Sequence, residues 1–383
     1  MTNIVQMGLP RRVITGTGSI SQLSAIVKDV RAENIMLLTD EGVYGTGITA
    51  QVEEMLSGYN TKLVKNVPPE PEYTQVLEIY SQIKNDKTEM IVAIGGGSVM
   101  DTAKILAVLA TNPGYAEDLL NPLLIKNKGI TTIFIPTSAG TGSEATPNSI
   151  VVVPEKELKV GVVNVNFIPD YVILDAEMTL KLPPSVTAST GADAFCHAIE
   201  CFISKKANPF SDMYALKAIS LITKSIRNAY NNGNDISARE DMLLAAFFGG
   251  MCIASSSTVA VHALSYPLGG KYRIAHGISN AILLPYVMEY NADYVENKFI
   301  DVAAAMGINT QNKNSTEISK AVTDEIFKMI DDIKIPHDLK KYGITADDLD
   351  TLVEGAAAVT RLLDNNPKPM TKDDIRNIYI KLI

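Results

Sequence analysis

The sequence predicts an α/β N-terminal domain built on a doubly wound parallel sheet, followed by an all-α C-terminal domain. Three observations carry this. Short continuous apolar runs alternate with amphipathic helical stretches through roughly the first 180 residues, a pattern of buried parallel strands joined by crossover helices. The character changes after Leu182-Pro183-Pro184. Beyond that point apolar positions recur almost entirely at helical spacing. A chain of 383 residues also exceeds one typical core, so two domains are expected, residues 1–183 and 184–383.

Taken in order, Asn34–Thr39 reads as a strand and residues near Gly47–Leu56 as a helix. Lys62–Val67 is a second strand and Tyr73–Lys84 a helix. Met90–Ile94 is a strand running directly into Gly95-Gly96-Gly97, with Ser98 opening a helix through Leu109. Thr132–Ile135 follows as a strand, Ile150–Pro154 and Leu158–Asn164 as a hairpin, and Tyr171–Leu174 as a last strand. Ser185 is placed to cap the first helix of the second domain. Helices are expected over Met213–Ile226, Asp241–Ile253, Ile318–Ile333 and Ala346–Val359, with no internal repeat.

Composition narrows the functional classes. Apolar residues make up 46% and charged residues 20%, ordinary for a globular protein and against extensive disorder. The net charge is −9, and no Lys/Arg run marks a nucleic-acid partner. The N-terminal stretch lacks a basic segment followed by an apolar one, so no secretory signal is expected. The longest apolar run, Met242–Ala254, contains Gly249-Gly250 and is short of a bilayer span, so it reads as a buried core helix and no membrane partner is expected. Cys196, Cys201 and Cys252 sit in apolar helical surroundings without a framework spacing, which points to reduced thiols and a cytoplasmic protein.

Several stretches carry candidate chemistry. Asp193 and His197 stand four residues apart in Gly191-Ala-Asp-Ala-Phe-Cys-His-Ala-Ile-Glu200, so both side chains leave one helix face and can grip a single divalent cation. A plain helix-surface contact is the alternative. His262 follows an apolar helical run, where a core histidine is the simpler reading, and His276 stands just before Gly277 at the start of an apolar helix. Of the four histidines only His337 is then left over. Gly95–Lys104 follows a strand end, where glycines let a backbone approach a pyrophosphate and the helix start offers free N–H groups; a ligand-free tight turn would look the same. Pro136-Thr-Ser-Ala-Gly-Thr-Gly-Ser-Glu144 can hydrogen-bond a ribose, a phosphate or a carboxamide. Asp40, at a strand's C-terminal end, can accept from ribose hydroxyls and repel a 2′-phosphate, or simply cap a helix. Lys159 on the hairpin could reach a nucleotide phosphate, though an exposed strand lysine is the simpler reading. A cleft between the two domains is where a cofactor on the first would meet a metal on the second.

GGGSVMDTAK, PTSAGTGSE, GADAFCHAIE, VHALSYPLG and AHGISNAILLP occur in that order, and the ending includes Asn365-Asn-Pro-Lys-Pro-Met-Thr371. Together they closely resemble the iron-containing (group III) alcohol dehydrogenase family, whose architecture is dehydroquinate synthase-like, and the resemblance covers essentially the whole chain. It implies metal ligands Asp193, His197, His262 and His276. It implies a dinucleotide site at Asp40, Gly96, Gly97, Ser98, Thr137, Ser138, Thr141 and Lys159. It further implies NAD rather than NADP, Fe²⁺ with Zn²⁺ as a common substitute, and a homodimer or higher homo-oligomer. The expected activity is hydride transfer between the nicotinamide and a small primary alcohol, diol or aldehyde, the metal polarising the substrate oxygen. One residue departs from the pattern. Tyr266 stands where many members carry a second histidine, one helical turn beyond the third ligand position. A phenol titrates far above an imidazole and is a poorer acid–base group near pH 7, so Tyr266 is expected to shape a different pocket. Two rival readings share these motifs: a polyol or phosphorylated-substrate relative of the dehydroquinate synthase and glycerol dehydrogenase type, and a non-catalytic scaffold with the metal as a staple.

Overall fold

The computed structural model describes residues 4–156 and 158–383. Residues 1–3 of the N-terminal stretch, and Glu157 between the two arms of the expected hairpin, lie outside the described residues. The chain divides into two compact units, Gly8–Leu182 and Pro183–Ile383, with residues 4–7 grouping with the second.

Among the described residues the first unit holds eight strands: β1 Arg12–Thr15, β2 Asn34–Leu38, β3 Asn60–Val64, β4 Met90–Gly95, β5 Thr131–Pro136, β6 Asn148–Val153, β7 Leu158–Val163 and β8 Tyr171–Leu174. Six form one sheet in the order β1-β8-β5-β4-β2-β3. Every neighbouring pair in it is parallel. β6 and β7 make a separate antiparallel hairpin, with Ser149 opposite Val162. β4, β5 and β8 are buried along nearly their whole length because helices cover both sheet faces.

Side chains alternate between the two faces at the strand period of two. Met36, Leu38, Ile91, Ala93 and Phe134 point to one core, which is completed by the helices α4 (Tyr73–Ile83) and α5 (Gly97–Leu109). Ile35, Leu37, Val92, Ile94, Ile133 and Ile135 point to the other, with α1 (Leu23–Val30) and α3 (Ile48–Met55). The short α2 (Glu41–Gly45) follows β2. From β2 the chain steps outward to β3, then returns to β4 on the opposite side of β2. The loops after β2 and β4 therefore leave adjacent C-terminal ends at a reversal of strand order, where such sheets bind ligands.

Two differences from expectation have simple causes. β1 was not anticipated: it is four residues long, mostly exposed, and stands at the sheet edge, so it carries no apolar run. The second expected strand begins two residues earlier than Lys62 and ends at Val64, because its register is set by β2 (Asn34 opposite Asn60) and not by its own apolar residues.

The second unit is all-helical: α6 Pro184–Ile203, α7 Pro209–Asn231, α8 Ile236–Ser255, α9 Ala260–Tyr272, α10 His276–Asn291, α11 Glu296–Ala305, α12 Ser315–Asp332, α13 Leu349–Ala357, α14 Thr360–Leu363 and α15 Lys372–Ile380. α6 is its central helix, buried without interruption from Gly191 to Ile203. Ser185 does not cap it. The N-cap position is Pro183 and Pro184 is the first helical residue, a position that tolerates the missing N–H. α8 runs unbroken through Gly249-Gly250, and a Cβ at Gly249 would lie 3.4 Å from His197 Cβ and 3.5 Å from the Ala194 carbonyl oxygen. No single helix among the described residues is long and apolar enough to cross a membrane. All three cysteines are buried and unpaired.

Candidate metal centre and nucleotide loops

Three helices deliver the polar groups of the helical unit to one point. α6 contributes Asp193 and His197, one turn apart on one face; α9 contributes His262; and α10 opens on His276. Asp193 Oδ1 lies 3.8 Å from His197 Nε2, 3.9 Å from His262 Nε2 and 3.8 Å from His276 Nε2. One ligand atom each from Asp193, His262 and His276 lies within 4.8 Å of the other two. The rings of His197 and His262 stack at 4.9 Å. The His276 side chain is 30% exposed where the other three are 5–7%, so the cluster opens on the His276 side.

Gly277 makes the approach of α10 to α6 possible. A Cβ there would lie 2.1 Å from the Ser189 carbonyl oxygen and 3.3 Å from Asp193 Cβ. Any side chain at 277 would push His276 away from Asp193.

Two further residues complete the cluster, both inside motifs already quoted but given no role in the sequence reading. Glu200 is fully buried. Its Oε2 makes a short contact with His262 Nδ1, while Oε1 accepts from the Val261 N–H at 2.6 Å. With Glu200 ionised, that contact draws the proton to Nδ1 and leaves the His262 Nε2 lone pair facing Asp193. Burial pushes the Glu200 carboxyl up to about 8 and holds the His262 imidazole down at about 4, in the neutral form that ligates metals. Asn280, also fully buried, directs its Nδ2 at Asp193 Oδ1 (2.7 Å), His262 Nε2 (3.2 Å) and His276 Nε2 (3.2 Å). Burial alone would raise Asp193; the three imidazoles and this amide outweigh it and hold the carboxyl at about 2. Spacing could have found both residues, since Glu200 is seven after Asp193 and Asn280 four after His276.

Tyr266 stands one turn after His262 on α9, its ring 6.4 Å from that of His276. Burial pushes its phenol above the usual range, so it is a donor at neutral pH. His337 is remote, exposed and 3.4 Å from Asp331.

In the α/β unit the two glycine-rich loops touch. A Cβ at Gly96 would meet Ser138 Oγ at 3.3 Å, and one at Gly97 would meet Thr141 Cγ2 at 2.8 Å. The Thr137 N–H bonds the Gly95 carbonyl at 3.0 Å. α5 starts at Gly97 with no side-chain cap, leaving first-turn N–H groups for a ligand. Asp40 is the N-cap of α2, its Oδ1 accepting from the Val43 N–H at 2.9 Å. Ser98 Oγ accepts from the Glu70 N–H, and Glu70 Oε1 in turn pairs with Lys159 Nζ at 2.5 Å. Glu70, in a proline-rich stretch with φ of 49°, gave no signal in the sequence.

Behind these loops lies a buried polar knot. Lys104 Nζ donates to Asn148 O (2.6 Å), Ser143 Oγ (2.8 Å), Thr146 Oγ1 (3.1 Å) and Asp101 Oδ1 (3.3 Å). Ser143 Oγ donates to Asp101 Oδ1 at 2.5 Å, and Asp101 Oδ2 accepts from the Ile150 N–H at 2.9 Å. The knot ties α5 to the Pro136–Glu144 loop and to the β6–β7 hairpin. Glu144 beside it is buried with Oε1 unsatisfied, and burial pushes its carboxyl up to about 7.

Comparison with known proteins bears on both halves. The family profile "Iron-containing alcohol dehydrogenase" matches residues 10–176, and "Fe-containing alcohol dehydrogenase family, C-terminal" matches residues 187–383. The chain is 36% identical over 382 residues to long-chain-alcohol dehydrogenase 1 of Geobacillus thermodenitrificans, covering 98% of this chain and 96% of that one. It resembles the solved alcohol dehydrogenase from Oenococcus oeni with a TM-score of 0.94 at 31% identity, covering 99% of this chain and 100% of that one. It resembles sulfoacetaldehyde reductase from Bifidobacterium kashiwanohense, solved in complex with NAD⁺, with a TM-score of 0.89 at 27% identity and 99% coverage of each. A parallel six-stranded α/β unit, an all-helical unit carrying an Asp/His cluster, and two profiles that together span nearly the whole chain agree: this protein belongs to the iron-containing alcohol dehydrogenase family, and is an oxidoreductase of alcohols and aldehydes.

Proposed function

We propose that the protein interconverts small primary alcohols or diols and their aldehydes with NAD(H), using one divalent ion held by Asp193, His197, His262 and His276. The convergence of one carboxylate and three imidazoles on buried helices carries this reading. The donor set suits Fe²⁺ and equally Zn²⁺, since both accept nitrogen and carboxylate ligands. Once bound, the ion supplies the positive centre that polarises a substrate oxygen. The chain's own groups prepare that centre. Glu200 orients His262, Gly277 admits His276, and the exposed edge of His276 leaves a side for substrate. The Tyr266 phenol, kept protonated by burial, serves as a hydrogen-bond donor toward substrate rather than as a base, and the proton leaves through water or a ribose hydroxyl.

The dinucleotide is assigned to Asp40, Gly96, Gly97, Ser98, Thr137, Ser138, Thr141 and Lys159. Support comes from the adjacency of the two loops at the strand-order reversal and from the uncapped start of α5. Nicotinamide supplies or takes up the hydride. Asp40 spends Oδ1 on its helix cap and keeps Oδ2 for a ribose hydroxyl, which favours NAD over NADP. Lys159 is engaged with Glu70, so a phosphate would have to share or displace that carboxylate. The division at residues 183/184 then separates a coenzyme domain from a metal domain, and the family pattern implies a homodimer or larger.

The test is anaerobic NADH oxidation by Fe²⁺-reconstituted protein with a short aliphatic aldehyde. Turnover that disappears on chelation and returns with metal supports the reading. Tight NADH binding without turnover would sink the small-aldehyde reading and move the substrate to a polyol or a phosphorylated sugar.

A further inference from the structure

Asn280 makes an unusual set of contacts for a buried amide. Its Nδ2 lies within hydrogen-bonding distance of Asp193 Oδ1, His262 Nε2 and His276 Nε2, at 2.7, 3.2 and 3.2 Å. An amide nitrogen carries two hydrogens, so three acceptors share them. Asn280 Oδ1 has no partner although the residue is fully buried, which carries a desolvation penalty. The residue has thus given up its acceptor's satisfaction and pointed its donors at three of the four groups assigned to the metal. Helix geometry fixes it there, because Asn280 is one turn after His276 on α10.

The three acceptors differ in what they can offer at once. A carboxylate oxygen has two lone pairs, so Asp193 Oδ1 can bind an ion and still accept from Asn280. Each imidazole Nε2 has one lone pair. His262 and His276 must each give it either to the amide or to an ion. Partial positive charge on the amide hydrogens also does in small measure what a cation would do, drawing three electron-rich atoms toward one point.

We infer that Asn280 is a placeholder for the metal: its amide holds the ligand atoms together in advance, and must release His262 and His276 as an ion enters. This rests on the assignment of the metal to the Asp193 cluster. The contact with Asp193 persists on loading, and the two imidazole contacts are the ones exchanged. Asn280 is therefore a positioning residue that sets how fast the centre loads and how stable the protein is before loading.

The experiment follows Zn²⁺ uptake by protein stripped with a chelator, by stopped-flow competition with a zinc-binding dye, together with thermal unfolding before and after loading. Asn280→Ala is expected to load at least about ten times faster than the parent. Its stripped form should melt lower while its loaded form melts close to the parent, so the zinc-induced rise in Tm grows. A merely structural asparagine would lower both melting temperatures together and leave the rise unchanged. That result, or an uptake rate within about twofold of the parent, overturns the inference. Asn280→Ser provides the second variant where the alanine protein does not fold: one donor in place of two should give an intermediate uptake rate, and a parental rate overturns the inference equally. His276→Ala separates the two levels. If it still binds one equivalent of zinc with parental affinity, the metal assignment itself is wrong. If it fails to bind while Asn280→Ala loads like the parent, only the placeholder is wrong.

Discussion

Asp101, buried behind the nucleotide loops, has the Lys104 ammonium 3.3 Å away and four acceptors gathered around that one cation. Asp193, also buried in the helical unit, faces three imidazoles and an amide, and Glu200 reaches an imidazole and the backbone N–H groups of Val259, Val261 and His262. Both regions bury carboxylates at the convergence of several elements, where an uncompensated charge is costly. The α/β unit carries its counter-charge covalently, on α5. The helical unit sets imidazoles and an amide around Asp193, with the Arg361 guanidinium acting on His262 and Tyr266 nearby. A cluster of the first kind is complete once folded and works as a brace. A cluster of the second kind sets its carboxylate among imidazole lone pairs rather than against an ammonium, and that difference separates a structural knot from a candidate metal centre more firmly than burial does.

The contrast is broken most severely at its strongest point. Asp193→Ala removes the only carboxylate among the four assigned ligands. We expect bound metal, measured by elemental analysis, to fall to background and aldehyde turnover to drop by at least about 1000-fold, while NADH affinity stays within about twofold. Retention of metal in this variant would mean that the cluster is a second structural knot.

Next in size is the mirror experiment. Lys104→Met leaves Asp101 buried without its cation, and breaking a buried pair from one side costs about 3–5 kcal/mol. Urea unfolding should show that loss, and Asp101→Asn in the same chain should restore part of it. No divalent ion should rescue it, because the knot is already filled by hydroxyls and a carbonyl. Glu200→Gln is milder. It preserves shape but weakens the grip on His262 Nδ1, and losses of this kind lower metal affinity by roughly 10–100-fold. Zinc competition measures it, and unchanged affinity would remove Glu200 from the centre.

The two regions also differ in how far they could be read in advance. The strands β4, β5 and β8 were legible because a doubly covered parallel strand must be apolar along its length, and β1 was not, because an exposed edge strand need not be. Asp193 and His197 declared themselves by helical spacing, yet nothing local joined them to His262 and His276; the motif order did that, and in the structure His262 Nε2 and His276 Nε2 stand 3.9 and 3.8 Å from Asp193 Oδ1. Glu200 and Asn280 escaped notice because a single Glu or Asn on a helix has many ordinary uses until the tertiary fold aims it. Lys159 shows the same limit from the other side. A hairpin lysine reads as free to meet a phosphate, and its engagement with Glu70 is a long-range contact that no local pattern encodes.

The finest test concerns Glu144, which decides whether the Lys104 knot is balanced at neutral pH. Beside the Asp101–Lys104 pair, a protonated Glu144 adds no charge to the knot and an ionised one adds a negative charge. Burial raises the carboxyl from its ordinary 4.5 to about 7. The folded protein therefore holds this proton over a pH range in which the unfolded chain has released it. Below about pH 4.5 both states are protonated and the group is neutral toward stability. Between there and pH 7 folding takes up a proton, so stability falls as pH rises, and above pH 7 the penalty is complete, on the order of 3 kcal/mol. Glu144→Gln cannot ionise. Its urea midpoint should match the parent near pH 4.5 and exceed it above pH 7, so the difference between the two chains grows across that window. A constant difference at every pH would show that Glu144 is paired in the folded chain, and the knot would then need a second cation.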